Sequence, residues 1–209
     1  MFLLSFAVAH AGESLREPTV VFSPDGEKVA VELLWTEDAS GFPNARIELW
    51  DPARSERVGE WSVRLTEDES KKGLEGAQAA ARQAAAAELA RASVDLSKAT
   101  PLTTCKDGIC GTSGGSGCSG KDQLKVTVRS TPTAAKQDQC RTGQGELLSV
   151  SVKEKTWLEE ATPIDGCPKG YAPVWGALQG ETAVLVVSYA TPTSEGEPNR
   201  VRAIVGRVR

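Results

Sequence analysis

Histidine is almost missing from this chain: among 209 residues there is one, His10. A serine or cysteine nucleophile at neutral pH needs a neighbouring base, most often an imidazole. The lack therefore speaks against Ser-His-Asp and Cys-His hydrolases and against histidine-rich zinc sites. Basic excess is also lacking. Lys and Arg number 24 against 28 Asp and Glu, a net charge of −4, so no broad positive field is offered to nucleic acid. No segment reaches the ~20 consecutive apolar residues of a membrane-spanning helix. Internal repetition is missing too. The turn Ser23-Pro24-Asp25-Gly26 occurs once, whereas a complete β-propeller repeats its turn signals blade by blade.

What is present begins with alternation. Val29, Val31, Leu33 and Trp35 alternate with Lys28, Ala30, Glu32 and Leu34; Ile47 and Leu49 alternate with Arg46, Glu48 and Trp50; Trp61, Val63 and Leu65 alternate with Glu60, Ser62 and Arg64. Period two is the mark of an antiparallel sheet with one buried and one wet face. The connectors Ser23-Pro24-Asp25-Gly26 and Asp51-Pro52-Ala53-Arg54 are turn sequences. Residues 19–22, 28–35, 45–51 and 57–65 are thus expected to form a four-stranded meander. Trp35 and Trp61 take the inward parity. Trp50 takes the outward one and marks an exposed apolar spot, a possible binding surface.

The start of the chain has the look of an export signal. Phe2 to Ala9 is a short apolar run and Ala9-His10-Ala11 a small-x-small cleavage site, which makes residues 1–11 the signal and Gly12 the first mature residue, although no Lys or Arg directly follows Met1. Residues 12–209 then form one exported domain, periplasmic or secreted. In an oxidising compartment the five cysteines, Cys105, Cys110, Cys118, Cys140 and Cys167, suggest disulfides. The first four are the candidates, with three possible pairings, and the odd number leaves a thiol over.

Thr66-Glu67-Asp68-Glu69 has the form of a capping box. Behind it Leu74, Ala77, Ala81, Ala85, Leu89, Ala92 and Leu96 recur at three- and four-residue spacing, which predicts one long helix over 67–96. Its small side chains suit close packing on the meander. Pro101 ends the helical region, and residues 103–121, rich in Gly, Ser and Cys, read as a loop insert. Strands resume at 124–129 and 147–152. Residues 182–190 are apolar almost without a break, as in a central strand, and 200–208, with its arginines, has an edge character.

Chemical motifs do not survive scrutiny. Gly111-Thr112-Ser113-Gly114-Gly115 fits the nucleophile elbow pattern, but no strand leads in, no helix leads out, and no histidine is at hand. Gly115 to Lys121 begins like a phosphate-binding loop, yet Asp122 stands where a hydroxyl must ligate magnesium. The spacing Cys105-x4-Cys110-x7-Cys118 is too wide for a zinc knuckle. No catalytic, cofactor or metal residue is therefore assigned. Gly166, Cys167, Pro168, Gly170 and Tyr171 read as a structural turn with Tyr171 as its anchor; Glu195 and Arg200 flank a loop that closes on itself or faces a ligand.

Two stretches are familiar. Phe22 to Ala30 and Ile47-Glu48-Leu49-Trp50-Asp51 resemble one blade of a TolB- or WD-type propeller. Over residues 19–205 the chain resembles the family of predicted secreted bacterial proteins called domain of unknown function 2259. The shared pieces are Gly41-Phe42-Pro43, Glu67-Asp68-Glu69 before an alanine-rich helix, Gly166-Cys167-Pro168-Lys169-Gly170-Tyr171, and Glu195 to Arg200 before the last strand. The resemblance implies export and a compact domain, and carries no activity. The expectation is thus an α+β fold: a twisted, mostly antiparallel sheet with a propeller-blade-like meander, covered by one long alanine-rich helix. The expected function is a non-catalytic binding or accessory module of the bacterial envelope, its partner an unknown envelope protein or ligand. The alternatives are a carboxylate-only hydrolase of an envelope glycan, with two carboxylates about 5–10 Å apart, and a thiolate metal or redox protein built on residues 105–118.

Overall fold

The computed structural model describes residues 15–37, 40–99, 103–104, 126–133, 145–152, 155–159, 168–191 and 199–208. The expected meander forms. Strands β1 (Thr19–Phe22), β2 (Val29–Thr36), β3 (Pro43–Asp51) and β4 (Glu56–Arg64) pair antiparallel in sequence order. The first turn closes by Gly26 N–H donating to the Ser23 carbonyl at 2.9 Å. In the second, Asp51 Oδ1 accepts from the Ala53 and Arg54 amides at 3.0 and 3.2 Å.

A short 3-10 stretch (Glu67–Lys72) precedes helix α1 (Gly73–Arg91). The single helix expected over 67–96 is broken at Gly73, whose φ of 64° lies where residues with a Cβ are strained. Of the capping box, only the Glu69 half makes contact: Thr66 makes no side-chain cap bond, while Glu69 meets Thr66 and Lys72. At the far end Ser93 takes φ 56° and Val94 N–H reaches back to the Leu89 carbonyl at 2.9 Å. This is the 6→1 bond of a Schellman ending, with Leu89 and Val94 packed together in the core. The buried stripe is the predicted one, Ala77, Ala81, Ala85 and Leu89. It lies over Ala45, Ile47 and Leu49 of β3, and its small side chains let the helix axis come close to the sheet.

The wet face expected of the meander is kept only on β4, where exposed Glu60, Ser62 and Arg64 alternate with half-buried Trp61 and Val63. β2 is buried from Val29 through Trp35, and β3 from Pro43 through Trp50. One face, with Ala30, Leu34, Ala45, Ile47 and Leu49, meets the helix. The other, with Val29, Val31, Leu33, Trp35 and Trp50, meets a second sheet. That sheet has the order β11-β10-β9-β5, built from β9 (Lys169–Gln179), β10 (Thr182–Ala190), β11 (Asn199–Arg207) and the two-residue β5 (Thr103–Thr104). A third, of β6 (Val126–Thr133), β7 (Gly145–Val152) and β8 (Lys155–Glu159), covers its far side through Leu148 and Val150. The protein is α+β; its described residues form the helix and three antiparallel sheets, stacked in four layers.

β10 is central and buried on both faces, and β11 is an edge, as its composition suggests. Thr103 and Thr104 belong to a strand and not to the loop assigned to 103–121; the remainder of that insert lies outside the described residues. No helix among the described residues is long and apolar enough to cross a membrane.

Candidate functional site

Charge inside the layers marks the place where function is to be sought, because a buried ion is costly unless something holds it. Among the described residues three carboxylates are buried. Glu32, on the helix face of β2, has a fully buried side chain and accepts a forked pair of bonds from Arg82 Nε and Nη2, both 2.7 Å, and a third from Gln78 Nε2 at 2.8 Å. Glu37, just past β2, takes a similar fork from Arg64 at 2.8 and 2.9 Å and a bond from the Ser40 hydroxyl. Burial raises the Glu37 carboxyl, but Arg64 and Ser40 outweigh it and hold the group below its ordinary value.

Glu48 is the third, and the centre of a larger cluster between the first two sheets. β3 alternation sends Arg46, Glu48 and Trp50 to the face that meets β11. Glu48 accepts from Trp50 Nε1 at 3.1 Å and from the Ala203 amide at 3.4 Å. Arg46 Nη1 lies 3.8 Å from it and Arg57 Nη1 3.9 Å. Glu60, directly opposite Glu48 on β4, pairs with Arg57 and stands 3.4 Å from Arg46 Nε. Arg46 donates to the Val201 carbonyl at 3.0 Å and its guanidinium lies 5.7 Å from the Trp35 ring centre. Burial pushes the Glu48 carboxyl above its ordinary value; Arg46, Arg57 and Arg202 pull it down without cancelling that effect. Burial also opposes the Arg46 charge, but Glu48, Tyr189 and Glu60 restore it.

The cluster resembles a general acid in one respect only, its raised carboxyl. Glu48 has no contact with solvent, its oxygens are occupied by an indole and an amide, and Arg57 and Glu60 form its outer rim at 36% and 30% side-chain exposure. The arrangement can fasten two sheets, with Arg57 and Glu60 standing between Glu48 and solvent.

The residues singled out from sequence fall as follows. Trp50 is 3% exposed and is no binding surface: the face it points to is covered by the second sheet, and Glu48 takes up its indole N–H. Trp35 and Trp61 are on opposite faces of the first sheet, Trp35 in the layer against β11 and Trp61 beside the helix. Pro168 and Tyr171 are buried, and Tyr171 stacks on Tyr189 at 5.3 Å between ring centres. The expected turn is the bulged start of β9. Gly170, at φ 65°, is the extra residue between the pairs Lys169–Ala190 and Ala172–Ser188, and its amide donates to Glu146 Oε2 at 2.8 Å. Arg200 is half-buried opposite Tyr189 on β11, and its Nε has no hydrogen-bond partner among the described residues. Glu195, Gly166, Cys105, Cys110, Cys118, Cys140 and Cys167 lie outside the described residues.

The ion cluster was missed in sequence because Arg46 and Glu48 look like the wet half of an alternating strand. One signal was there: Trp50 shares their parity, and a tryptophan on a solvated face is unusual. Compared with known proteins, the chain matches no family model, no curated protein and no solved structure.

Proposed function

We propose that the chain is an exported, non-catalytic binding or accessory module of the bacterial envelope. The observation that carries the non-catalytic part is the state of the buried acids: Glu32, Glu37 and Glu48 each have fixed donors on their oxygens, so none is poised to exchange a proton with a substrate. Export rests on the apolar run Phe2 to Ala9 with its Ala9-His10-Ala11 site and on the cysteine-rich insert. The resemblance of residues 19–205 to the secreted family of domain of unknown function 2259 supports the same reading.

The test is fractionation of a bacterial host expressing the chain with a C-terminal tag. Recovery in the periplasmic fraction, in a form starting at Gly12, is the expected result; a chain that stays in the cytosol with Met1 in place refutes export.

A carboxylate hydrolase is the second reading, favoured by one feature: Glu48 and Glu60 face each other across β3 and β4, one of them with a raised carboxyl. Release of reducing ends from envelope glycan by the wild type, abolished in both E48Q and E60Q, would put that reading first.

A further inference from the structure

β11 ends the second sheet, and no strand among the described residues pairs with its outer side. In an antiparallel strand the N–H and C=O of one residue point to the same side, and those of the next to the other. The Ala203 amide and the Val201 carbonyl point away from β10. Arg202 and Ile204, between and beside them, therefore turn their amides to β10. An uncovered row of this kind is a template for another strand.

Here the row is occupied by side chains. Arg46 Nη1 sits 3.0 Å from the Val201 carbonyl, and Glu48 Oε1 sits 3.4 Å from the Ala203 amide. Both come from β3 of another sheet, and both are almost wholly buried. They fill two of the hydrogen-bonding places a neighbouring strand would use, at the middle of the row, and put charges where its backbone would lie.

The sequence of β11 shows which strand would fit. Paired antiparallel with a second β11 about Ala203, Val201 meets Val205, Arg202 meets Ile204, Arg200 meets Gly206 and Asn199 meets Arg207. No arginine faces an arginine, and Ala203 to Ala203 becomes the hydrogen-bonded pair at the two-fold axis. The strand is self-complementary, and the cluster stands in its way.

We propose that Arg46 and Glu48 are an edge guard that keeps β11 from pairing with the β11 of a second copy of this chain. The guard works by occupancy, so side chains of similar reach should keep it closed, and short ones should open it.

The experiment compares wild type, R46K/E48Q and R46A/E48A by size-exclusion chromatography with light scattering over a wide range of concentrations, with folding checked by circular dichroism. Wild type and R46K/E48Q are expected at the mass of one chain throughout. R46A/E48A is expected to move from one chain to two as concentration rises. A folded R46A/E48A that stays at one chain overturns the proposal. Should R46A/E48A not fold, amide exchange in the wild type decides. The guard requires the Ala203 amide to be as protected as those of Arg202 and Ile204; an Ala203 amide exchanging as fast as a loop amide overturns it.

Discussion

Arg82→Leu is the substitution whose effect follows most directly from the layer arrangement. It leaves Glu32 with Gln78 as its remaining hydrogen-bond partner among the described residues, beneath a helix and with no solvent contact. Removing one partner of a buried ion pair costs about 3–5 kcal/mol. Arg82 itself is 38% exposed, so water can follow where the guanidinium leaves, and the lower end, about 3 kcal/mol, applies. The reverse change is milder. Glu32→Leu frees Arg82 to turn to solvent, and the added apolar contact with Ala30 and Ile47 offsets much of the lost hydrogen bonding, for a net effect within about 1 kcal/mol. The double variant R82L/E32L carries no stranded charge and should also fall within about 1 kcal/mol of wild type. The coupling between the two sites is then about 2–3 kcal/mol, well above the usual error of additivity. Urea unfolding at neutral pH followed by circular dichroism measures all four proteins, with stability taken by linear extrapolation. Equal stability of R82L and E32L, or a coupling below ~0.5 kcal/mol, would refute the claim that Arg82 holds a sealed carboxylate.

Other outcomes follow from the same contacts. Glu48 and Glu37 should give opposite pH signatures. The Glu48 carboxyl is raised in the fold, so its charged form is disfavoured there. Its contribution to stability declines as pH rises from the ordinary 4.5 through the folded value, and E48Q removes that decline. The Glu37 carboxyl is lowered, so its contribution is present above the ordinary 4.5 and is lost as pH falls through the folded value; E37Q flattens the acid limb. Urea midpoints measured across pH distinguish the two. Ala81→Leu forces a larger side chain between α1 and the first sheet and should destabilise by about 1–3 kcal/mol. Gly170→Ala strains a residue at φ 65° and should cost about 1–2 kcal/mol, read as a lowered thermal midpoint.

The parts legible in the sequence are those governed by local pattern. The meander, its two turns, the buried alanine stripe, the central β10 and the edge β11 all follow from periodicity and turn chemistry. What escaped detection depends on which surfaces meet. Glu32, Arg46 and Glu48 are charged, and charge in an alternating strand is ordinarily solvated, so β2 and β3 seemed to have a wet face. Nothing local says that Arg82 and Gln78, on the flank of the alanine stripe, come down on Glu32, or that a second sheet closes over Arg46 and Glu48. The same gap explains Trp50: it alternates with Ile47 and Leu49 as expected, but it shares its face with Trp35, and the second sheet covers that face. β9 escaped because its bulge at Gly170 imitates a turn. The break at Gly73 was hidden by an alanine-rich sequence on its far side.

The proposed role stands or falls with the compartment, and the intact mass of the exported chain tests that most directly. The protein is alkylated without reduction, then again after reduction. The account predicts a mass beginning at Gly12, with one thiol alkylated before reduction and all five cysteines after it, which means two disulfides. A mass that retains the first eleven residues, or three or more thiols alkylated without reduction, would contradict it and bring a thiolate metal or redox chemistry of the cysteine insert to the front.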